Sequence, residues 1–208
     1  MCIRDSSLSV TPNYLEQIGF IDINQANKAN EDPIGLLMKK ALDGVVIVPW
    51  AIMLDKWRAA LFSGKIDESN LNESWWELRE KYQGIAPPID RPENFFDPGA
   101  KYHIPANTPY TRYFLASIMQ YQFHEALCNA INFDGPLHEC SIYDSKKAGE
   151  RVISTMALGQ SVPWQDAFEK LTGSRELSGK SILNYYAPLK NWLDAVSYTH
   201  LTLPTILP

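Results

Sequence analysis

Apolar side chains recur at three- and four-residue steps through much of this 208-residue chain, and few segments alternate with period two. That spacing commits the chain to helices, because such steps keep residues on one helical face whereas a strand needs a period of two. Trp50, Leu54, Trp57 and Leu61 follow Pro49, with Gly64 as a stop. Leu71, Trp75, Leu78 and Tyr82 mark a second helix between Asp67 and Gly84. Asp144 to Leu158 reads as a third, with Asp144 as its cap and Gly159 as its end. Pro163 opens a short helix carrying Trp164, Ala167, Phe168 and Leu171, and Gly173 closes it. Ser178 starts the last one, with Ile182, Leu189 and Trp192 inward and a kink expected at Pro188. The expected fold class is all-α.

The length fits one domain or a piece of a larger one. A net charge of −5 supplies no basic surface for nucleic acid. The longest apolar run, Gly44 to Leu54, is too short to span a bilayer and contains Pro49. No lysine- or arginine-headed signal segment opens the chain. Both ends read as foreign: MCIRDS and VSYTHLTLPTILP resemble translated adapter sequence, and the helical period stops after Asp194. Residues 1–6 and 197–208 are therefore set aside, which leaves 7–196 for functional reasoning. Within that span remain Cys128 and Cys140, and His103, His124 and His138. A close pair of cysteines suits one disulfide in an oxidising compartment.

One long stretch lacks helical period. From Gly84 to Pro109 it holds Pro87, Pro88, Pro92, Pro98, Pro105 and Pro109. Structureless connections beyond about 12–15 residues are usually functional or disordered. Phe95, Phe96, Tyr102, Ile104 and Tyr110 give this one apolar anchors, so order is expected. It feeds a helix for which Thr108 is the expected cap and Pro109 the first residue.

Two constellations could carry chemistry. His124-Glu125-Ala126-Leu127-Cys128 has the frame of the zincin motif H-E-x-x-H with cysteine in place of the second histidine. With His138 and Cys140 it offers four ligands for a structural zinc. A Cys128–Cys140 disulfide, worth about 3 kcal/mol for so short a loop, is the competing reading, and two unpaired buried thiols a third. The second constellation is the loop-to-helix junction, where Lys101, His103, Tyr110, Arg112 and Tyr113 fall within a dozen residues. An ammonium and a phenol suit a carboxylate, and an imidazole with another phenol suits a polarised carbonyl. Packing tyrosines and a solvated lysine are the plainer alternative.

FDPGAKYHIPANTPYTRYF, then QYQFHEALC and GPLHECSIYDSKKAGERV, resemble the C-terminal region of the angiotensin-converting-enzyme family. LLMKKALDGVVIVPW, NESWWELREKYQGIAPP and PWQDAFEKLTG extend the resemblance from about Leu8 to Asp194. It implies a mostly helical ellipsoid with a central channel, and a peptidase that removes C-terminal dipeptides with one zinc ion. The family's zinc ligands are two histidines of H-E-x-x-H and a later glutamate. None is present here, and LSVTPNYL matches sequence just after the third ligand. Residues 7–196 are thus expected to be the C-terminal portion of one peptidyl-dipeptidase catalytic domain, inactive alone, from a periplasmic or secreted parent. By the same resemblance Lys101 and Tyr110 hold the substrate's free carboxylate, His103 bonds a substrate carbonyl, and Tyr113 stabilises the oxyanion. Arg112 matches one chloride site and Trp75 with Arg79 part of another, the other partners of both lying upstream. Cys128 and Cys140 match a family disulfide, which leaves His124 and Glu125 to core or supporting roles. Ile47 and Ser117 stand where animal relatives place phenylalanine in the substrate pocket, which leaves side-chain preference open. Two other readings stand beside this one: a non-catalytic module that binds peptide C-termini, and a helical domain held by structural zinc.

Overall fold

The computed structural model describes residues 7–202; of the segments set aside, 1–6 and 197–208, all of the first and 203–208 of the second lie outside the described residues. The chain runs through α1 (Pro12–Gln17), α2 (Ile23–Glu31), α3 (Pro33–Gly44), α4 (Ile47–Phe62) and α5 (Leu71–Gln83). It continues through α6 (Thr111–Ala130), α7 (Lys146–Met156), α8 (Trp164–Thr172), α9 (Lys180–Tyr185) and α10 (Ala187–Thr202). Short 3-10 turns lie at Asp97–Ala100 and Leu137–Glu139. No strand occurs among the described residues, so the fold is all-α as the periodicity requires.

Two compact units divide the chain, named by their place in the sequence alone: Ala41–Ser117 forms the inner unit, and the flanking segments up to Lys40 and from Ile118 form the outer one. In the inner unit α4 and α5 bury Ala51, Met53, Leu54, Trp57, Ile66, Trp75 and Tyr110 together. Trp57 is fully buried, and its indole N–H donates to Ser74 Oγ at 3.1 Å and to the Leu71 carbonyl at 3.2 Å. A buried indole needs such an acceptor, since an unpaired N–H forfeits its hydration. Trp75 packs edge-on against Trp57 and Trp50, at 5.8 and 5.5 Å between ring centroids.

The proline-rich stretch is ordered by polar ties rather than by a helical ladder. Asp97 accepts from Trp76 Nε1 at 2.7 Å, Asn72 Nδ2 at 3.2 Å and both Nε and Nη2 of Arg91. Those bonds, led by Arg91, hold its carboxyl down to a pKa of about 2. Asn72, fully buried, also donates to the Arg91 carbonyl at 2.8 Å and accepts from the Asp97 amide at 2.9 Å. Glu93 reaches back to the amides of Asn72 and Glu73 at 2.9 and 2.7 Å, closing the N-terminus of α5.

In the outer unit Leu127, Ala148 and Leu171 form a core with Phe123, Ile131, Ile142 and Val152 around them. Tyr121, Tyr185 and Tyr186 pack edge-on or tilted as a second cluster, with a 2.9 Å bond between the hydroxyls of Tyr121 and Tyr186. Several expected boundaries move. Ser145, not Asp144, caps α7, accepting from the Ala148 amide at 3.3 Å, while Asp144 sits in the left-handed region at φ 55°. The last helix breaks at Tyr186 rather than at Pro188, because Pro188 lies in the first turn of α10 where no amide is missed. Helix α10 runs on to Thr202, past the expected stop after Asp194.

Candidate functional site

The junction that leads into α6 collects most of the candidate residues in the inner unit. Asp55, one turn before Arg58 on α4, replaces Thr108 as the cap: its Oδ2 accepts from the amides of Tyr110 and Thr111 at 2.8 and 2.6 Å and from the Thr111 hydroxyl at 2.7 Å. Helix α6 accordingly starts at Thr111, and Pro109 lies outside it. Burial pushes the Asp55 pKa up, but the Thr111 hydroxyl, the two amides and Arg58 outweigh it and hold the group ionised below the ordinary value. Arg58 is 7% exposed and donates to Asp55 Oδ1 at 3.1 Å, the Thr108 carbonyl at 3.0 Å and Asn107 Oδ1 at 2.6 Å. Asn107 takes the left-handed conformation at φ 48°, a turn that asparagine tolerates better than most residues. Sequence reasoning passed over Asp55 and Arg58. Their signal was a run of three charged residues, Asp55, Lys56 and Arg58, interleaved with the core residues Leu54 and Trp57.

On this frame four candidate side chains meet. The ring of His103 lies 4.7 Å edge-on from that of Tyr110 and 5.6 Å from that of Tyr113, and the two tyrosines are 4.6 Å apart. His103 Nε2 is 3.4 Å from the Tyr113 hydroxyl. Lys101 Nζ stands 5.1 Å from the centre of the Tyr110 ring, a cation–π distance. Tyr110 is 5% exposed, whereas Lys101, His103 and Tyr113 keep partial access to solvent. Nδ1 of His103 is shielded and has no hydrogen-bond partner. Desolvation, and then the charges of Lys101, Arg112 and Arg58, lower the His103 pKa, which favours the neutral imidazole. A neutral imidazole, an ammonium and two phenols can each donate to a carbonyl or a carboxylate.

Arg112 is exposed on the first turn of α6, apart from this cluster's hydrogen bonds. Arg79 and Trp75 lie on α5. The Arg79 guanidinium stacks 4.9 Å from the Trp50 ring and 5.5 Å from that of Trp76, and its Nε is buried without a partner. Ser117 is 2% exposed and donates to the Tyr113 carbonyl at 2.7 Å, and Ile47 opens α4, half-buried.

The other constellation is closed to chemistry. Cys128 and Cys140 are bonded to each other, with Cα atoms 6.2 Å apart. His124 donates from Nε2 to the Leu137 carbonyl at 3.0 Å, with Cys128 Sγ 3.6 Å away. Among the described residues His124, Cys128 and Cys140 are the one group with metal-holding proximity, yet the paired sulfurs offer no thiolate. His138 lies outside that group, so the four-ligand structural zinc is corrected to a disulfide. Glu125 is occupied by Ser181 Oγ and by Asn184 Nδ2, the latter at 2.8 Å, and ties α6 to α9.

The fold and the cluster define a class: an all-helical protein that gathers an ammonium, an imidazole and two phenols, all hydrogen-bond donors, at one helix entrance. The chain belongs to the angiotensin-converting-enzyme family, whose model matches residues 4–201. It is 44% identical over 195 residues to the angiotensin-converting enzyme of Mesocricetus auratus, covering 93% of this chain and 15% of that protein. Identity reaches 46% over 195 residues with the enzyme of Sus scrofa, again 93% of this chain and 15% of the relative. With the enzyme of Theromyzon tessulatum it is 46% over 188 residues, 90% of this chain and 30% of that one. The chain thus spans between about a seventh and a third of the length of these relatives. The family is one of zinc-dependent peptidyl-dipeptidases. The described residues do not fit a zinc held by two histidines and a glutamate, since their one group with metal-holding proximity, His124 with Cys128 and Cys140, contains a single histidine and no carboxylate, and its sulfurs are bonded to each other. No described helix is long and apolar enough to cross a membrane.

Proposed function

We propose that the protein to which this chain belongs is a zinc metallopeptidase that releases C-terminal dipeptides, and that this chain supplies its substrate-holding side. Lys101 and Tyr110 anchor the substrate's free carboxylate, as a charge-assisted pair suited to a terminal anion. An anchor at fixed distance from the reacting bond sets the cut two residues from the end. His103 donates to a backbone carbonyl near that bond, and Tyr113 donates to the oxyanion as it forms. The observation that carries this reading is the meeting of Lys101, His103, Tyr110 and Tyr113 at one helix entrance, with His103 Nε2 3.4 Å from the Tyr113 hydroxyl. Asp55 and Arg58 keep that entrance rigid, which positions the donors before substrate arrives. Zinc belongs to the family's chemistry, and none of its ligands is assigned to a residue of this chain. The same reading places residues 7–196 in the C-terminal portion of the catalytic domain and the parent in a secreted or periplasmic setting, where the Cys128–Cys140 bond persists.

Chloride is assigned to Arg79 with Trp75, and to Arg112. Arg79 supports this best: its guanidinium is stacked between Trp50 and Trp76, burial lowers its pKa, and its Nε lacks a partner. A monoanion would relieve that cost.

The test is hydrolysis of a peptide with a free C-terminus by the full-length parent. The expected product is the C-terminal dipeptide, with Tyr113→Phe lowering kcat about a hundredfold or more and leaving KM nearly unchanged. Release of single amino acids, or an unchanged kcat in the variant, rejects the reading. Binding of the peptide without any cleavage by the parent selects the non-catalytic module instead.

A further inference from the structure

We propose that a cavity in the outer unit, walled by α1, α2 and α3, binds a small monocarboxylate with an apolar body, of which a medium-chain fatty acid is the simplest form. The cavity holds about 390 Å³, inside the range of about 300–1,000 Å³ usual for small-ligand sites. Leu15, Ile21, Leu36 and Leu37 make much of its wall. Lys40, His138 and Tyr185 also line it and supply polar groups to an otherwise apolar space.

These three groups have hydrogen-bonding capacity left over. Lys40 Nζ donates to the Tyr185 hydroxyl at 3.0 Å, and no carboxylate pairs with Lys40 among the described residues. An ammonium has three donors, so two remain after that bond. The Tyr185 oxygen accepts from Lys40, and its own hydrogen has no acceptor among the described residues. The His138 side chain is 10% exposed, and neither ring nitrogen has a hydrogen-bond partner. The nearest carboxylate oxygen is Glu139 Oε1, 3.5 Å from Nε2. Whatever its charge, an imidazole carries at least one N–H. Burying an ammonium without a counter-ion, and an imidazole without a partner, is costly, and one carboxylate would relieve both. Burial lowers the Lys40 pKa in keeping with that cost.

The charge balance selects a monoanion. One cation lines the cavity, and Glu139 lines it too, so a phosphate dianion would meet repulsion that a carboxylate largely escapes. The apolar walls then select the rest of the ligand, since burying its hydrocarbon body contributes in proportion to the area removed from water.

The experiment titrates octanoate, with 1-octanol as the uncharged arm, into the 208-residue chain and into the full-length parent by calorimetry. Octanoate is expected to bind both, and about tenfold or more tighter than octanol, as a charge-assisted bond requires. Lys40→Met should remove that preference and leave octanol binding intact, which shows that the cavity still folds. Tyr185→Phe, which deletes only the hydroxyl, should weaken octanoate several-fold. Equal affinity for the two ligands, no binding at millimolar octanoate, or an unmoved preference in Lys40→Met overturns the proposal. So does binding to the short chain alone, because the parent's own residues then fill the cavity.

Discussion

The two regions that carry histidine beside other ligand-type residues differ in what those residues have left to offer. At the entrance to α6, His103 stands among donors with partial access to solvent, and its Nδ1 is unpaired. Further along the same helix, His124 is 1% exposed and spends its N–H on the Leu137 carbonyl, while its two cysteine neighbours are bonded to each other. By sequence the His124 region is the richer of the two, since it preserves most of a zinc motif. By geometry the order reverses. A ligand set is worth only its uncommitted lone pairs and donors, and packing decides how many stay uncommitted.

The comparison can be broken at the disulfide. Cys128→Ser should cost the outer unit about 3 kcal/mol of stability, read by denaturant unfolding, because the cross-link confines the unfolded chain. In the unmutated chain, reductant should add two alkylatable thiols, Cys128 and Cys140, to those counted before reduction. Two thiols already reactive in the oxidised protein would mean that the block is open and the zinc reading alive. A smaller effect sharpens the other side. Asp55→Asn keeps the shape of the cap but removes the charge that faces Arg58 and the amides of Tyr110 and Thr111. It should cost about 1–2 kcal/mol and raise hydrogen exchange at those two amides, while the disulfide block exchanges as before. Equal protection in variant and parent would show that the junction is held by something else.

Much of the helical frame was legible in the residues. Helix α4 falls where Trp50, Leu54, Trp57 and Leu61 placed it, and α5 and α8 end at Gly84 and Gly173, whose φ values of 66° and 81° suit glycine. Helices α1 to α3 went unread, although Asp22 and Gln25 form a capping box that a closer local reading could find. The caps of α5 and α6 were illegible for a different reason. Glu93 and Asp55 supply them from 20 or more residues away, and no local pattern records a partner so distant. The junction's residue types were readable, yet their chemistry was not: Lys101, His103, Tyr110 and Tyr113 gained roles only through the family resemblance. The cavity of Lys40, His138 and Tyr185 left no trace at all, because 145 residues separate its first member from its last.

The central claim is that Lys101 and Tyr110 grip a peptide's terminal anion, and kinetics of Lys101→Ala in the full-length parent test it most directly. KM should rise about tenfold or more for substrates with a free C-terminal carboxylate, and barely change for the same peptides amidated at that end. An equal rise for both substrates would contradict the assignment.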